Sequence, residues 1–359
     1  MPVLTRRASR CIVRWLPNEI LAEVIQHLGS NSYRDLLALC RTSRLIHGLA
    51  TPILYRNIRL STVTATRRCF LTLRTHAGSH PRARHVRLLT MGTLGKSNLN
   101  LPADLVSNLI PVFQDFRRLQ CLELYVIGPL GPLLQESNFP ELRALNSNVD
   151  ISFSAALREF INRHLSLTSL DLFPTEDFVA EIGSISLPHL RNYTGPGRYA
   201  SGLVVGDKSL ETVTVIWEAE DPSLGPAWAA LGVCTEATIS ALALGTFCDR
   251  ISAVDLLRCA AQNMPHLAIV DLRRMHNTAD RMPPNTAQEI AHILVRFTEL
   301  CVLKFDSAAD AQDIGNQDME ADHRIVVSWG KACNTLCLIV LHGRLWKGRH
   351  EVWDLYRSS

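Results

Sequence analysis

Few side chains in this sequence are spaced for covalent or metal chemistry. Gly95-Lys96-Ser97 has the closing residues of a phosphate-binding loop. Such a loop also needs a glycine five positions before Gly95, where the backbone turns its amides toward the phosphate, and Thr90 stands there. The cradle is therefore incomplete. No G-x-S-x-G turn for a nucleophilic serine, no H-E-x-x-H zinc pair and no G-x-G-x-x-G run occurs. Asp306, Asp310, Asp313, Asp318, Glu320 and Asp322 crowd one stretch but lack the ligand order of a calcium loop, and they read as a solvated insertion. The histidines have no metal-ligand spacing. The ten cysteines include no C-x-x-C, and the closest pair, Cys333 and Cys337, lies four residues apart. Single cysteines beside apolar neighbours, such as Cys40, Cys121, Cys259 and Cys301, pack as small hydrophobes and fit a reducing compartment. The expectation is a chain with no catalytic residue, no metal and no cofactor.

Binding is what remains, and the composition bounds it. At 359 residues the chain is too long for one ordinary core and suits two or three domains or one elongated array. Its 47% hydrophobic and 20% charged residues are the balance of a folded protein. The longest aliphatic run, Leu336 to Leu341, is far short of the ~18 residues a membrane-spanning helix needs. The net charge of +3 hides an asymmetry. Residues 1–100 hold 15 Arg and one Lys against Glu19, Glu23 and Asp35, a balance of +13, which leaves −10 for the rest. A basic head on an acidic body points to two parts with different partners, the alternative being solvated arginines on helix surfaces. The positive charges are spread over a tail and helices with few interleaved aromatics, so nucleic acid is not the expected partner. Residues 1–14 carry four arginines and no acid but form no clean amphipathic face, and are expected to be a basic disordered tail.

The elements begin at Trp15. Ile20, Leu21, Val24, Ile25 and Leu28 have the spacing of one helical face, with Pro17 at the first helical position, Glu19 in the first turn and Gly29 as the cap. A second helix follows Asn31-Ser32 and buries Leu36, Leu37, Leu39 and Cys40. A third runs from Arg44 to about Ala50, and Pro52 should close or kink it. Three short helices bury little by themselves, so this head needs the body or a partner.

Leu16-Pro17-Asn18-Glu19-Ile20, Val24-Ile25, Leu28 and Leu36-Leu37-Ala38-Leu39-Cys40-Arg41 together resemble an F-box. The continuation through Ser43-Arg44-Leu45-Ile46, Pro52 to Ile58 and Arg84-His85-Val86-Arg87-Leu88 is similar to F-box proteins of mushroom-forming fungi. The match covers residues 15–60, with weaker likeness to about 90. It departs at Ser43, where many F-boxes have Trp, which removes one large apolar contact. The resemblance implies docking on the Skp-type adaptor of a cullin-based ubiquitin ligase. By motif position Leu16, Pro17, Ile20, Val24, Leu28, Leu36 and Leu39 would form or support that contact.

The rest of the chain repeats. L-x-x-L-x-L segments recur at Leu119/Leu122/Leu124, Leu167/Leu170/Leu172, Leu210/Val213/Val215, Leu267/Val270/Leu272, Leu300/Leu303/Phe305 and Leu336/Ile339/Leu341. Weaker copies sit at Leu142/Leu145, Leu190/Tyr193 and Ile239/Leu242/Leu244. The shorter gaps match the roughly 20–29 residues of a leucine-rich repeat. Each unit would place a strand beside that of its neighbour, with return helices over Ser154–His164, Ala253–Asn263 and Thr286–Phe297. The buried Asn or Cys that usually follows the third leucine is absent, so the array should be irregular, and a non-repeating α/β body competes with it.

The expected fold is thus α/β: a tail over 1–14, a three-helix F-box over 15–60 and an irregular leucine-rich-repeat-like solenoid with a curved parallel sheet over 61–359. Its concave face would carry Glu123, Tyr125, Asp171, Phe173, Asp271, Arg273, Lys304 and His342, a mixture suited to an unknown protein substrate. The expected function is substrate recognition within a Skp–cullin–F-box ligase, in cytoplasm or nucleus. Protein binding without ubiquitin transfer is the alternative.

Overall fold

The computed structural model describes residues 17–28, 33–74, 82–93, 99–149, 154–174, 184–200, 202–205, 210–217, 229, 241–246, 252–274, 282–307, 319–349 and 352–356. The chain is α/β with a mostly parallel arrangement of strands, and it divides into two compact units, Met1–Leu142 and Arg143–Ser359.

The first unit opens with α1 (Asn18–His27), α2 (Tyr33–Cys40) and α3 (Arg44–Leu54). Pro17 is not inside α1 but at its N-cap, with φ −54° and ψ 146°. The extended ψ lets its carbonyl accept the first helical bond, from Leu21 N at 3.1 Å. The expected caps Gly29 and Asn31-Ser32 lie outside the described residues. Ser43 caps α3 by accepting from Ile46 N at 3.2 Å. Pro52 neither ends nor precedes the end of this helix by a full turn: α3 continues to Leu54. Placed in the last turn, the proline forgoes a single intrahelical bond, and only Ile53 and Leu54 follow it in the helix. Ile25, Leu36, Ile46 and Ala50 form the small core of this head, flanked by Leu28, Leu39, Cys40, Leu49, Ile53 and Leu54.

The same unit continues with β1 (Asn57–Leu60), α4 (Val63–Arg74), β2 (Leu88–Gly92), β3 (Leu99–Asn100), α5 (Ala103–Phe113), β4 (Cys121–Ile127) and α6 (Gly131–Glu136). β1, β2 and β4 pair in parallel in that order, and β3 pairs with β4. Buried Leu89, Met91, Leu122 and Leu124 alternate along the strands, facing a cluster of Phe70, Phe113, Phe116 and Phe139. The ring centroids of this cluster are 5.3–6.2 Å apart, the range of tilted and offset aromatic packing.

The second unit contains β5 (Ala144–Val149), α7 (Ser154–Arg163), β6 (Ser169–Pro174), β7 (Ile185–Leu187), β8 (Asn192–Pro196), α8 (Gly197–Ala200), β9 (Leu203–Val205), β10 (Thr212–Trp217) and β11 (Ala241–Thr246). It ends with α9 (Ala253–Asn263), β12 (Ile269–Arg274), α10 (Pro284–Leu294), β13 (Val302–Ser307), α11 (Met319–Ala332), β14 (Leu338–Leu341), β15 (Arg344–Arg349) and β16 (Val352–Leu355). The main sheet runs β5-β6-β8-β10-β11-β12-β13-β14-β15-β16, while β7 and β9 pair separately. Each new strand therefore lies beside the one before it, the order expected of stacked strand–helix units.

Register makes the repetition concrete. Leu145, Leu170, Tyr193, Val213, Leu242, Val270, Leu303 and Ile339, the second apolar position of each expected segment, are Cα partners across successive strands. All of them whose side chains are described are buried. The backbone repeats as well: Thr168 and Ser169 both donate to Arg143 O, Arg191 and Asn192 to Thr168 O, and Glu211 and Thr212 to Arg191 O. Cys301 and Val302 donate to Ala268 O, and Cys337 and Leu338 to Cys301 O. One carbonyl thus satisfies two amides at each of these strand entries.

The parallel pattern stops at β14. His342 (φ 50°) and Gly343 (φ 70°) form a two-residue turn, and β14, β15 and β16 pair antiparallel. Two successive positive φ values are the signature of a tight hairpin, whose twist suits the flanking strands.

Candidate docking surfaces

The head presents more apolar surface than its core can cover. Ile20 and Val24, one turn apart on α1, are 43% and 55% exposed, and Leu37 on α2 and Leu45 on α3 are 47% and 41% exposed. Tyr33 also exposes its ring, while its hydroxyl donates to Asn57 O at 2.7 Å and ties α2 to the first strand. Five of the twelve exposed large hydrophobics among the described residues therefore fall on this three-helix segment.

Of the residues expected to contact an adaptor, Pro17, Ile20 and Val24 are exposed. Leu28 and Leu39 are half-buried against the head's core, and Leu36 is wholly inside it. Leu36 can support a docking face but cannot itself touch a partner. Leu16 lies outside the described residues. Leu37, expected on the buried side of its helix, faces outward, and so does Leu45. A signal existed for Leu37: neighbouring residues on a helix point about 100° apart, so Leu36 and Leu37 cannot share one narrow core.

The sheet residues expected to meet a substrate fall on both units. In the first, Glu123 is half-buried and accepts the Thr90 hydroxyl at 2.8 Å, and Tyr125 is buried. In the second, Asp171, Thr194, Thr214, Ala243, Asp271 and Lys304 are Cα partners in one row across β6, β8, β10, β11, β12 and β13. Phe173, half-buried, lies two residues further along β6. The side chain of Arg273 is outside the described atoms. Asp271 is buried, with Lys304 Nζ 3.7 Å from its Oδ2. Asp171 and Asp271 are four strands apart, roughly 19 Å at ~4.8 Å per strand, too far for paired acid–base work.

His342 departs from that row. The hairpin takes it beyond the end of β14, where its Nδ1 lies 3.0 Å from Asp322 Oδ1. Arg344 donates to Asp322 Oδ2 at 2.8 Å, so the buried carboxylate on α11 holds both ends of the turn. A cavity of about 540 Å³ opens beside it, lined by Pro283, Pro284, Ile325, Trp329, Asp322 and His342 among others.

Titration is shifted at few groups. Burial pushes the thiol of Cys69 up to about 11 and raises those of Cys40 and Cys259. His164, buried on the loop after α7, is held below its usual 6.5 by burial, partly offset by its bond to Phe160 O. His85 is lowered by burial and then by Arg84, Arg118 and Arg87.

No family model matches the chain, and no curated protein is significantly similar to it. Its own geometry must therefore carry the reading. Among the described residues no three His, Cys, Asp or Glu side chains group as a metal site requires, and no helix is long and apolar enough to cross a membrane. Gly195-Pro196-Gly197-Arg198-Tyr199-Ala200 spans the end of β8 and the helix after it, with spacing close to that of a dinucleotide-binding turn. The helix it opens, α8, is four residues long, too short to offer a pyrophosphate a helix dipole.

Proposed function

We propose that the chain is a non-catalytic substrate receptor of a Skp–cullin–F-box ubiquitin ligase, working in cytoplasm or nucleus. Its head would dock on the Skp-type adaptor, as the resemblance of residues 15–60 to an F-box implies. Its body would act as an irregular leucine-rich-repeat-like solenoid whose polar sheet face meets a target protein. The receptor's contribution is proximity: it raises the effective concentration of a target beside a ubiquitin-charged enzyme and needs no reacting group of its own.

The observation that carries this reading is the uncovered apolar set Ile20, Val24, Leu37 and Leu45. Burying such side chains against a second protein recovers about 25 cal/mol per Å² removed from water. The chain-ordered sheet supports the second half, because stacked units leave one face of the strands free of their own helices.

The test is co-purification of the full chain with a Skp-type adaptor. Ile20→Ala is expected to weaken capture by about 1–3 kcal/mol if it is a central anchor. Its unfolding free energy from urea denaturation should change by no more than about 0.5 kcal/mol, since the side chain is exposed. Undiminished capture by a folded Ile20→Ala, Leu37→Ala double variant would end the assignment of this face. Adaptor capture without ubiquitin transfer to a bound target would select the alternative, a scaffold that acts by binding alone.

A further inference from the structure

Two cysteines that are 36 residues apart in sequence meet in the second unit. Cys301 precedes β13 and Cys337 precedes β14, and each follows the first leucine of its repeat, Leu300 or Leu336. Equal positions of stacked units lie side by side, so the repeat itself brings the thiols together. Their sulfurs are 2.8 Å apart. That is less than an ångström beyond the ~2.05 Å of a disulfide bond, so closure needs little backbone movement. The backbone already holds the pair, because Cys337 N donates to Cys301 O at 2.9 Å and Leu338 N to the same oxygen at 3.2 Å. Both side chains are half-buried, open enough for a small oxidant to reach.

We propose that Cys301 and Cys337 are a reversible oxidation site, closing to a disulfide with a peroxide as co-reactant. One thiolate attacks a peroxide oxygen and breaks the O–O bond, becoming a sulfenic acid as hydroxide leaves and takes up a proton. The second thiolate attacks that sulfur, the S–S bond forms, and a second hydroxide leaves and is protonated. Two electrons pass from the sulfurs to the peroxide, and hydrogen peroxide departs as two waters. A dithiol reductant reverses the change by exchange.

Cys40, Cys69, Cys259 and Cys333 lack this arrangement. Cys40, Cys69 and Cys259 sit singly, with thiols raised by burial and therefore poor in thiolate. Cys333 is buried, with its sulfur 3.2 Å from the Thr335 hydroxyl oxygen and 3.9 Å from Leu300 O. Closure would tie together the starts of two successive strands. It would also fix β15, since Gly348 N donates to Cys337 O at 3.1 Å. In a compartment that keeps thiols reduced, such a bond is transient and reports oxidant.

The experiment treats the reduced full-length protein with equimolar hydrogen peroxide, alkylates the remaining thiols, and maps peptides by mass spectrometry. The expected product is a linked pair of peptides containing Cys301 and Cys337, about 2 Da lighter than their reduced sum and separated by dithiothreitol. The oxidised protein should unfold at a higher urea concentration than the reduced one, and Cys301→Ser should abolish that shift. Alkylation of both cysteines while other thiols are consumed would overturn the proposal. So would a bond in which Cys333 replaces either one. The peptide map uses the unaltered chain, so its answer stands even if Cys301→Ser fails to fold.

Discussion

The three-helix head and the second unit spend their apolar residues in opposite ways. In the second unit the described leucines of the L-x-x-L-x-L segments are buried, because each strand of the main sheet is flanked by another. Among its described residues the head buries Leu21, Ile25, Leu36, Ile46 and Ala50, and leaves Ile20, Val24, Leu37 and Leu45 in water. A sheet of successively paired strands supplies its own neighbours and so completes its own core. Three short helices enclose too little volume to cover all their apolar residues, and these four stay exposed.

Cutting one large side chain from each region sharpens that contrast most. Trp329 on α11 is buried, packs tilted with its ring centroid 5.2 Å from that of Phe305 and donates to Ala287 O at 2.9 Å, joining α10 to α11. Trp329→Ala should cost about 3–5 kcal/mol by urea denaturation, as a large buried cavity does. Leu36→Ala in the head should cost about 2–5 kcal/mol locally, read as lost hydrogen-exchange protection in α1–α3 with β12–β14 unchanged. Protection lost in both regions together would show that the head is not a separately weak element.

A smaller effect is expected at the end of the sheet. Arg344→Leu leaves the buried Asp322 carboxylate with only His342, and should cost about 3 kcal/mol, because an uncompensated buried charge remains. The loss should appear in exchange of the β14–β16 amides; an unchanged urea midpoint would mean that the carboxylate is solvated after the change.

The smallest expected effect is a pH dependence. His164 and His85 bind protons less readily in the folded protein than in the unfolded chain, where the ordinary value is 6.5. Stability should be level above that value and fall as pH drops through it, since the unfolded chain then takes up more protons. His164→Gln should flatten the fall read on the second unit, and His85→Gln the fall read on the first. An equal slope in both variants and the parent chain would assign acid sensitivity to other groups.

Much of the body was legible because its signals are local. A strand that alternates buried and open residues writes itself as L-x-x-L-x-L, and all nine such segments lie at strands. The helices over 253–263 and 154–163 were visible by the same argument with a period near 3.6. The end of the pattern was not. Leu336/Ile339/Leu341 looks like one more repeat, and only the two positive φ values at His342 and Gly343 turn the chain back and remove His342 from the sheet face.

Residue types and their spacing alone decided that this chain has short strands recurring along the sequence after three apolar helices. Which leucines of the head stay in water was decided only in three dimensions, since exposure depends on what the other helices cover. The meeting of Cys301 with Cys337 and of Asp322 with Arg344 was also a tertiary decision. Such contacts join residues many positions apart, and their distance is set by strand register and helix placement, which no local pattern encodes.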